Sequence, residues 1–166
     1  MTNKKRFVGY LRNMAELNCP YVWGGTGESL STLSSAKLRN METSSHNVDR
    51  VINFILKKES LKDLRIFDCS GLGLYWLIKE KLVSTRITAS DMYKLLCTPK
   101  DLKDVELGDW VFGETNGKIT HIGYCTGTLN GKKRICECWG RDVGVVIRDI
   151  DKGSYTWTKC GKPKIY

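Results

Sequence analysis

Seven cysteines but only two histidines occur in the chain, so any thiol chemistry that needs an imidazole has few ways to be assembled. Cys69 stands in Phe67-Asp68-Cys69-Ser70-Gly71, a polar collar leading into the most apolar segment of the sequence. If that segment is a helix, its unsatisfied amide hydrogens and its dipole favour negative charge at the collar. The thiol is then expected to ionise easily, from an ordinary pKa of ~8.5 toward ~3.5–7.5 with an imidazolium nearby. A packed core cysteine is the competing expectation. Of the two candidate bases, His46 lies in the polar stretch Ser44-Ser45-His46-Asn47, where solvent exposure is the ordinary outcome. His121 lies in Ile119-Thr120-His121-Ile122-Gly123-Tyr124-Cys125, a strand-like segment that can hold a ring rigidly, with Gly123 leaving room beside it. A purely structural histidine in a sheet is the alternative.

A catalytic imidazole needs a third group to orient it and to stabilise its charged form. In Arg134-Ile135-Cys136-Glu137-Cys138-Trp139, strand alternation puts Ile135, Glu137 and Trp139 on one face, so a carboxylate sits between two large apolar side chains. Such a glutamate needs a cationic partner, which His121 can supply; an exposed edge-strand Glu137 is the other reading. An oxyanion could be met by the Cys69 amide and by the Tyr21 hydroxyl of Tyr21-Val22-Trp23-Gly24-Gly25, for which aromatic packing is equally open. Cys136 and Cys138 share a strand face, but no second pair at finger spacing and no nearby HxxxH supports a zinc site. No metal or cofactor is expected.

The elements that must position these residues follow from periodicity. Phe7, Tyr10, Leu11, Met14 and Leu17 predict an amphipathic helix over 5–17, stopping before Cys19-Pro20. Residues 26–63 read as an insertion, part loop and part helix. Their first half is rich in Ser, Thr and Gly, and Val48, Val51, Ile52, Ile55 and Leu56 mark the helix. Residues 70–82, apolar around nearly the whole circumference, predict a buried central helix. Ala89 to Leu96 predicts a shorter one, with Thr88 or Ser90 as cap and Thr98-Pro99 as stop. The period then changes to two. Strands are expected at 109–114, 119–126, 132–139, 143–149 and 162–166, with Asn116-Gly117 and Asn130-Gly131 as hairpin turns. Helices first and an antiparallel meander second make an α+β domain, with 1–166 read as one unit.

Composition narrows the classes further. A chain of 166 residues, 41% hydrophobic and 27% charged, can bury a full core without disulfide or metal staples. Its longest nearly apolar run, Leu72 to Ile78, is far short of the ~20 residues of a membrane span. The N-terminus has no apolar h-region or small-residue cleavage site, and the cysteine count is odd, so free thiols and synthesis in a reducing compartment are expected. A net charge of +9 implies attraction to polyanions, and its scattering in pairs and triplets gives no specific nucleic-acid motif.

In order along the chain, Tyr21-Val22-Trp23-Gly24-Gly25, Asp68-Cys69-Ser70-Gly71, Leu107-Gly108-Asp109, His121-Ile122-Gly123-Tyr124, Glu137-Cys138-Trp139-Gly140 and Gly144-Val145-Val146 resemble the NlpC family of papain-like cysteine peptidases, which hydrolyse cell-wall peptidoglycan. The resemblance runs from about residue 5 to 150. It implies a circularly permuted papain-like fold, with N-terminal helices packed on a C-terminal antiparallel sheet, and cleavage of stem peptides after D-γ-glutamate beside diaminopimelate or lysine. Carried onto matching positions, Cys69 is the nucleophile, His121 the base and Glu137 the third polar residue. Tyr21, Asp68 and Ser70 match residues that line the pocket for the substrate's acidic, amine-bearing end.

Two features depart from the pattern. The third residue is commonly histidine, and a glutamate there is expected to orient His121 and hold it protonated; Cys138 is the alternative alignment. The stretch between Gly25 and Asp68 is also longer than usual, and could cover the cleft or dock to a partner. The expected partners are peptidoglycan or muropeptides and, through the positive charge, anionic wall polymers. A non-catalytic wall-binding module and an acyltransferase using the same Cys–His pair are the alternatives. Synthesis in the cytoplasm and action at the bacterial wall, after release or within a phage or secretion assembly, complete the expectation.

Overall fold

Apolar positions at helical spacing build the first element. In the computed structural model, which describes residues 2–152 and 156–166, Phe7, Val8, Leu11 and Met14 are the buried residues of helix α1 (Asn3–Glu16), capped by the Thr2 hydroxyl. Helix α4 (Cys69–Lys79) buries residues on every side, including Leu72, Leu74, Trp76 and Leu77. α1 packs on it through Phe7, whose ring lies 5.1 Å from that of Trp76 and 5.4 Å, edge-on, from that of Tyr124 on the sheet. Helix α5 (Ala89–Leu96) starts on a capping box between Thr88 and Asp91.

The main sheet has six strands: β3 (Cys97–Lys100), β4 (Trp110–Thr115), β5 (Lys118–Leu129), β6 (Lys132–Cys138), β7 (Val145–Asp149) and β8 (Trp157–Pro163). They lie in the order β3-β8-β4-β5-β6-β7, every neighbour antiparallel. Asn116-Gly117 and Asn130-Gly131 both have positive φ at each residue, the backbone that a tight two-residue hairpin requires. Cys136 and Cys138 share the inner face of β6. Their thiols donate to the carbonyls of Leu11 at 3.5 Å and Phe67 at 3.4 Å, so both are core residues. All seven cysteines are free. Among the described residues no group of three His, Cys, Asp or Glu side chains is arranged to hold a metal ion, and no helix is long and apolar enough to cross a membrane.

Several boundaries differ from those read off the sequence. The last strand runs from Trp157 to Pro163 rather than over 162–166, because it inserts between β3 and β4 and buries Trp157, Cys160 and Gly161 there. Thr98-Pro99 does end α5, but the chain continues as β3, an edge strand where a missing amide hydrogen is tolerated. The Ser/Thr/Gly-rich stretch holds more order than its weak periodicity suggests. Thr26–Ser29 forms β1, which pairs with β2 (Arg65–Phe67), and helix α2 (Ser35–Met41) is capped by Ser34 and buries only Leu38. Helix α3 (Ser45–Ile55) follows, capped by Ser44, with Val48, Val51 and Phe54 buried.

Candidate active site

The start of α4 is locked by its own sequence. Asp68 is the N-cap: its Oδ1 accepts from the Gly71 amide at 2.7 Å and from the Ser70 hydroxyl at 3.2 Å. A side chain at Gly71 would lie 1.9 Å from the Gly25 carbonyl oxygen, so only glycine lets the Trp23-Gly24-Gly25 turn press against the helix. The Asp68 amide completes that contact by donating to the same carbonyl at 2.9 Å. The turn and the collar thus form one body, with Tyr21 next to the thiol.

Cys69 is half-buried and lines a cleft of about 660 Å³ with Tyr21, Trp23, Arg86, His121 and Trp139. Its Sγ lies 3.8 Å from the Thr120 carbonyl oxygen and also meets the Ile122 amide, the two backbone groups that flank His121. A register shift in the β4–β5 ladder between Gly113–His121 and Glu114–Ile119 leaves Thr120 as the extra residue, and this bulge turns its carbonyl toward the thiol. Desolvation, and then the neighbouring Asp68 charge, push Cys69 up to about 12, against the amides of Ser70, Ile122 and Cys69 itself, which favour the anion. The helix start helps the thiolate but does not prevail over burial.

His121 and Glu137 fall on the face of β5 and β6 opposite to Tyr124 and Cys136, which pair across the ladder. There His121 Nε2 lies 2.7 Å from Glu137 Oε2, both side chains almost fully buried. Trp157 stacks on the imidazole, ring centres 5.5 Å apart and planes 21° from parallel. Any side chain at Gly123 would meet Ile135 at 2.6 Å and Trp157 at 2.8 Å, so this glycine keeps the stack in place. Glu137 Oε1 lies 3.0 Å from Arg148 Nε of β7, and the Arg148 guanidinium lies 3.3 Å over the ring of Trp139 at the cleft wall.

Two more cations hold residues of the cleft wall, Arg86 beside Asp68 and Arg141 over Tyr21. Arg86 pairs with Asp68 Oδ2 and also donates to Thr26 Oγ1 at 2.6 Å and to the Gly24 carbonyl. Arg141 donates twice to Glu42 Oε2, at 2.9 and 2.7 Å, and lies 5.2 Å over the Tyr21 ring. Glu42, wholly buried, turns its other oxygen to the Trp23 amide at 3.0 Å. A residue of the 26–63 stretch therefore fixes the loop that carries Tyr21 and the exposed Trp23. Burial pushes the Tyr21 hydroxyl far above its ordinary value, so it stands as a neutral donor.

Cys69 at the helix start and His121 on its strand thus open onto one cleft, with Glu137 buried behind the imidazole. The model of the NlpC/P60 family matches residues 18–157. The chain belongs to the NlpC/P60 family. Its fold is similar to that of the P60 domain of an antigen from M. avium subspecies paratuberculosis, at 18% identity and a TM-score of 0.58 over 99% of both chains. It is similar as well to NlpC2 from Trichomonas vaginalis, at 19% identity and 0.57 over 95% of this chain and 44% of that one. The NlpC/p60 domain of the peptidoglycan hydrolase SagA is a third, at 15% identity and 0.57 over 97% of this chain and 99% of that one. No curated protein matches the chain significantly.

In this NlpC/P60 chain all of Tyr21, Asp68, Cys69, Ser70 and His121 line the cleft, and Glu137 stands behind His121. Ser70 is buried and Asp68 has both oxygens engaged. Cys138, the alternative third residue, points into the core instead. His46 opens helix α3, exposed to solvent. Arg148, Arg86, Arg141 and Glu42 escaped the sequence reading. Strand alternation could have signalled Arg148, since Ile135 pairs with Arg148 and Glu137 with Val146, which puts Arg148 diagonal to Glu137 on one face.

Proposed function

We propose that this NlpC/P60 chain is a cysteine hydrolase that cleaves the D-γ-glutamyl–diamino acid bond of peptidoglycan stem peptides at the bacterial cell wall. The observation that carries the reading is the opening of Cys69 and the Glu137-anchored His121 onto one cleft. With Nε2 engaged by Glu137, Nδ1 of His121 takes the thiol proton as Sγ attacks the amide carbonyl carbon. The oxyanion is met by the Cys69 amide and the Tyr21 hydroxyl. The C–N bond then breaks, the imidazolium gives its proton to the leaving amine, and a thioester remains on Cys69. Water attacks the thioester while His121 takes a proton from it, which releases the acid and returns the thiol.

Digestion of purified muropeptides, followed by mass spectrometry, tests this. The wild-type chain is expected to yield fragments split between D-glutamate and the diamino acid, and Cys69→Ala to lower the rate at least about 10³-fold with the thermal midpoint nearly unchanged. Undiminished cleavage by Cys69→Ala, or a large stability loss in its place, contradicts the reading.

A further inference from the structure

A second groove, of about 620 Å³, lies between α5, the β4–β5 hairpin and β8. Thr88 and Ile119 line both it and the catalytic cleft, so the two adjoin. Its charge is one-sided. Lys94 of α5, Lys118 of β5 and Lys159 of β8 line it against a single carboxylate, Glu114 of β4. That carboxylate is already engaged: Oε2 accepts from the Thr158 hydroxyl at 2.7 Å, and Oε1 lies 3.5 Å from Lys159 Nζ. Lys94 and Lys118 are exposed, and among the described residues neither is within ion-pair distance of a carboxylate. The walls are firmly placed. Tyr93 of α5 packs edge-on against Phe112 of the sheet, ring centres 5.0 Å apart, and the Asn116-Gly117 turn sets Lys118 at the start of β5.

We propose that this lysine groove is a subsite for a phosphodiester chain, the polyol phosphate polymer borne by the same glycan whose stem peptide enters the cleft. The inference deepens the proposed action on peptidoglycan and rests on it. The kind of cation favours this ligand. No arginine lines the groove among the described residues, so the planar fork that grips a single carboxylate through two parallel hydrogen bonds is missing from it. Ammonium groups are compact point charges with no fixed approach, and here they stand on three separate elements. A stem peptide offers isolated carboxylates, whereas a polyol phosphate carries one negative charge per repeat and can meet several ammonium groups along a groove. Glu114 tethers Lys159, which leaves Lys94 and Lys118 to the ligand. An uncompensated positive groove next to the cleft concentrates such a polymer there, and the binding weakens with salt as counterions compete.

The test is co-sedimentation of the full chain, carrying Cys69→Ala so that the wall stays intact, with two preparations of one cell wall. One bears its glycerol phosphate polymer and the other has been stripped of it with hydrofluoric acid. Binding to the polymer-bearing wall is expected to be at least about fivefold tighter at low salt, and adding Lys94→Gln with Lys118→Gln is expected to abolish that margin. Lys94→Arg with Lys118→Arg, which keeps both charges, stays within about twofold of the Cys69→Ala chain. Lys37→Gln with Lys57→Gln, which removes equal charge from exposed positions outside the groove, keeps the margin. Lys118→Glu alone gives the same sign as the groove pair and replaces it should that variant lose its fold. Equal binding to the two walls, or an equal loss from the Lys37 and Lys57 pair, overturns the proposal. So does a loss from the groove pair that is as large on the stripped wall, which would assign the groove to peptide carboxylates. Sedimentation needs no turnover, so a wild-type chain that failed to cleave muropeptides would sink the hydrolytic reading and leave this comparison readable.

Discussion

Burial and backbone amides pull Cys69 in opposite directions, and burial prevails, with the thiol pushed up to about 12. An acid raised in this way stays protonated through neutral pH and ionises only in alkali. Wild-type Cys69 is therefore expected to alkylate ever faster from pH 7 to 10 with no plateau in acid, as followed by mass mapping; a plateau below pH 6 contradicts this. Gly123 makes a second, steric prediction. Gly123→Ala forces its methyl to within 2.6 Å of Ile135 and 2.8 Å of Trp157, the ring stacked on His121. The expected cost is about 1–3 kcal/mol of stability, together with a fall in kcat, checked by thermal denaturation and muropeptide kinetics. Cys69, His121 and Glu137 were legible because each breaks a local rule: a polar collar before an apolar helix, an imidazole in a strand, a carboxylate between Ile135 and Trp139. Arg148 breaks none. A basic residue near a strand end reads as solvated, and only the β6–β7 register turns it toward Glu137.

Helix α2 bears on the site through Glu42, at its C-terminal cap. Its buried carboxylate joins Arg141 to the Trp23 amide and so clamps the loop that carries Tyr21. Glu42→Ala strands the Arg141 guanidinium, whose side chain is 14% exposed, and is expected to cost about 3–5 kcal/mol in denaturant unfolding and to raise KM. An unchanged midpoint would show that the stretch does not support the cleft. Helices α1, α4 and α5 were legible from periodicity and caps, since tertiary packing only reinforces what those residues favour alone. α2 and β1 were not. α2 buries a single leucine, and β1 gains its strand form from pairing with β2, whose residues lie far along the chain.

All seven thiols are raised by burial, with Cys97 and Cys160 pushed to about 12 like Cys69, and Cys19, Cys125, Cys136 and Cys138 raised as well. In the unfolded chain each ionises near ~8.5. Above that pH the unfolded state binds fewer protons than the folded one, so stability falls as pH rises, by about 1.4 kcal/mol per pH unit for each thiol still protonated in the fold. The thermal midpoint under reducing conditions is expected to drop steadily between about pH 8.5 and 12; a midpoint flat to pH 10 contradicts the burial of these thiols. The α+β layering was legible in the change of period after Leu107. The strand order was not, because β8 reaches its place between β3 and β4 through pairings that no local pattern encodes.

The decisive measurement is the intact mass of the chain quenched in acid during turnover of a muropeptide. The account predicts a species heavier by the acyl half of the cleaved peptide, attached at Cys69 and lost on hydroxylamine treatment. Cleavage that proceeds in the wild type and in Cys69→Ala alike, with no such adduct, would contradict it.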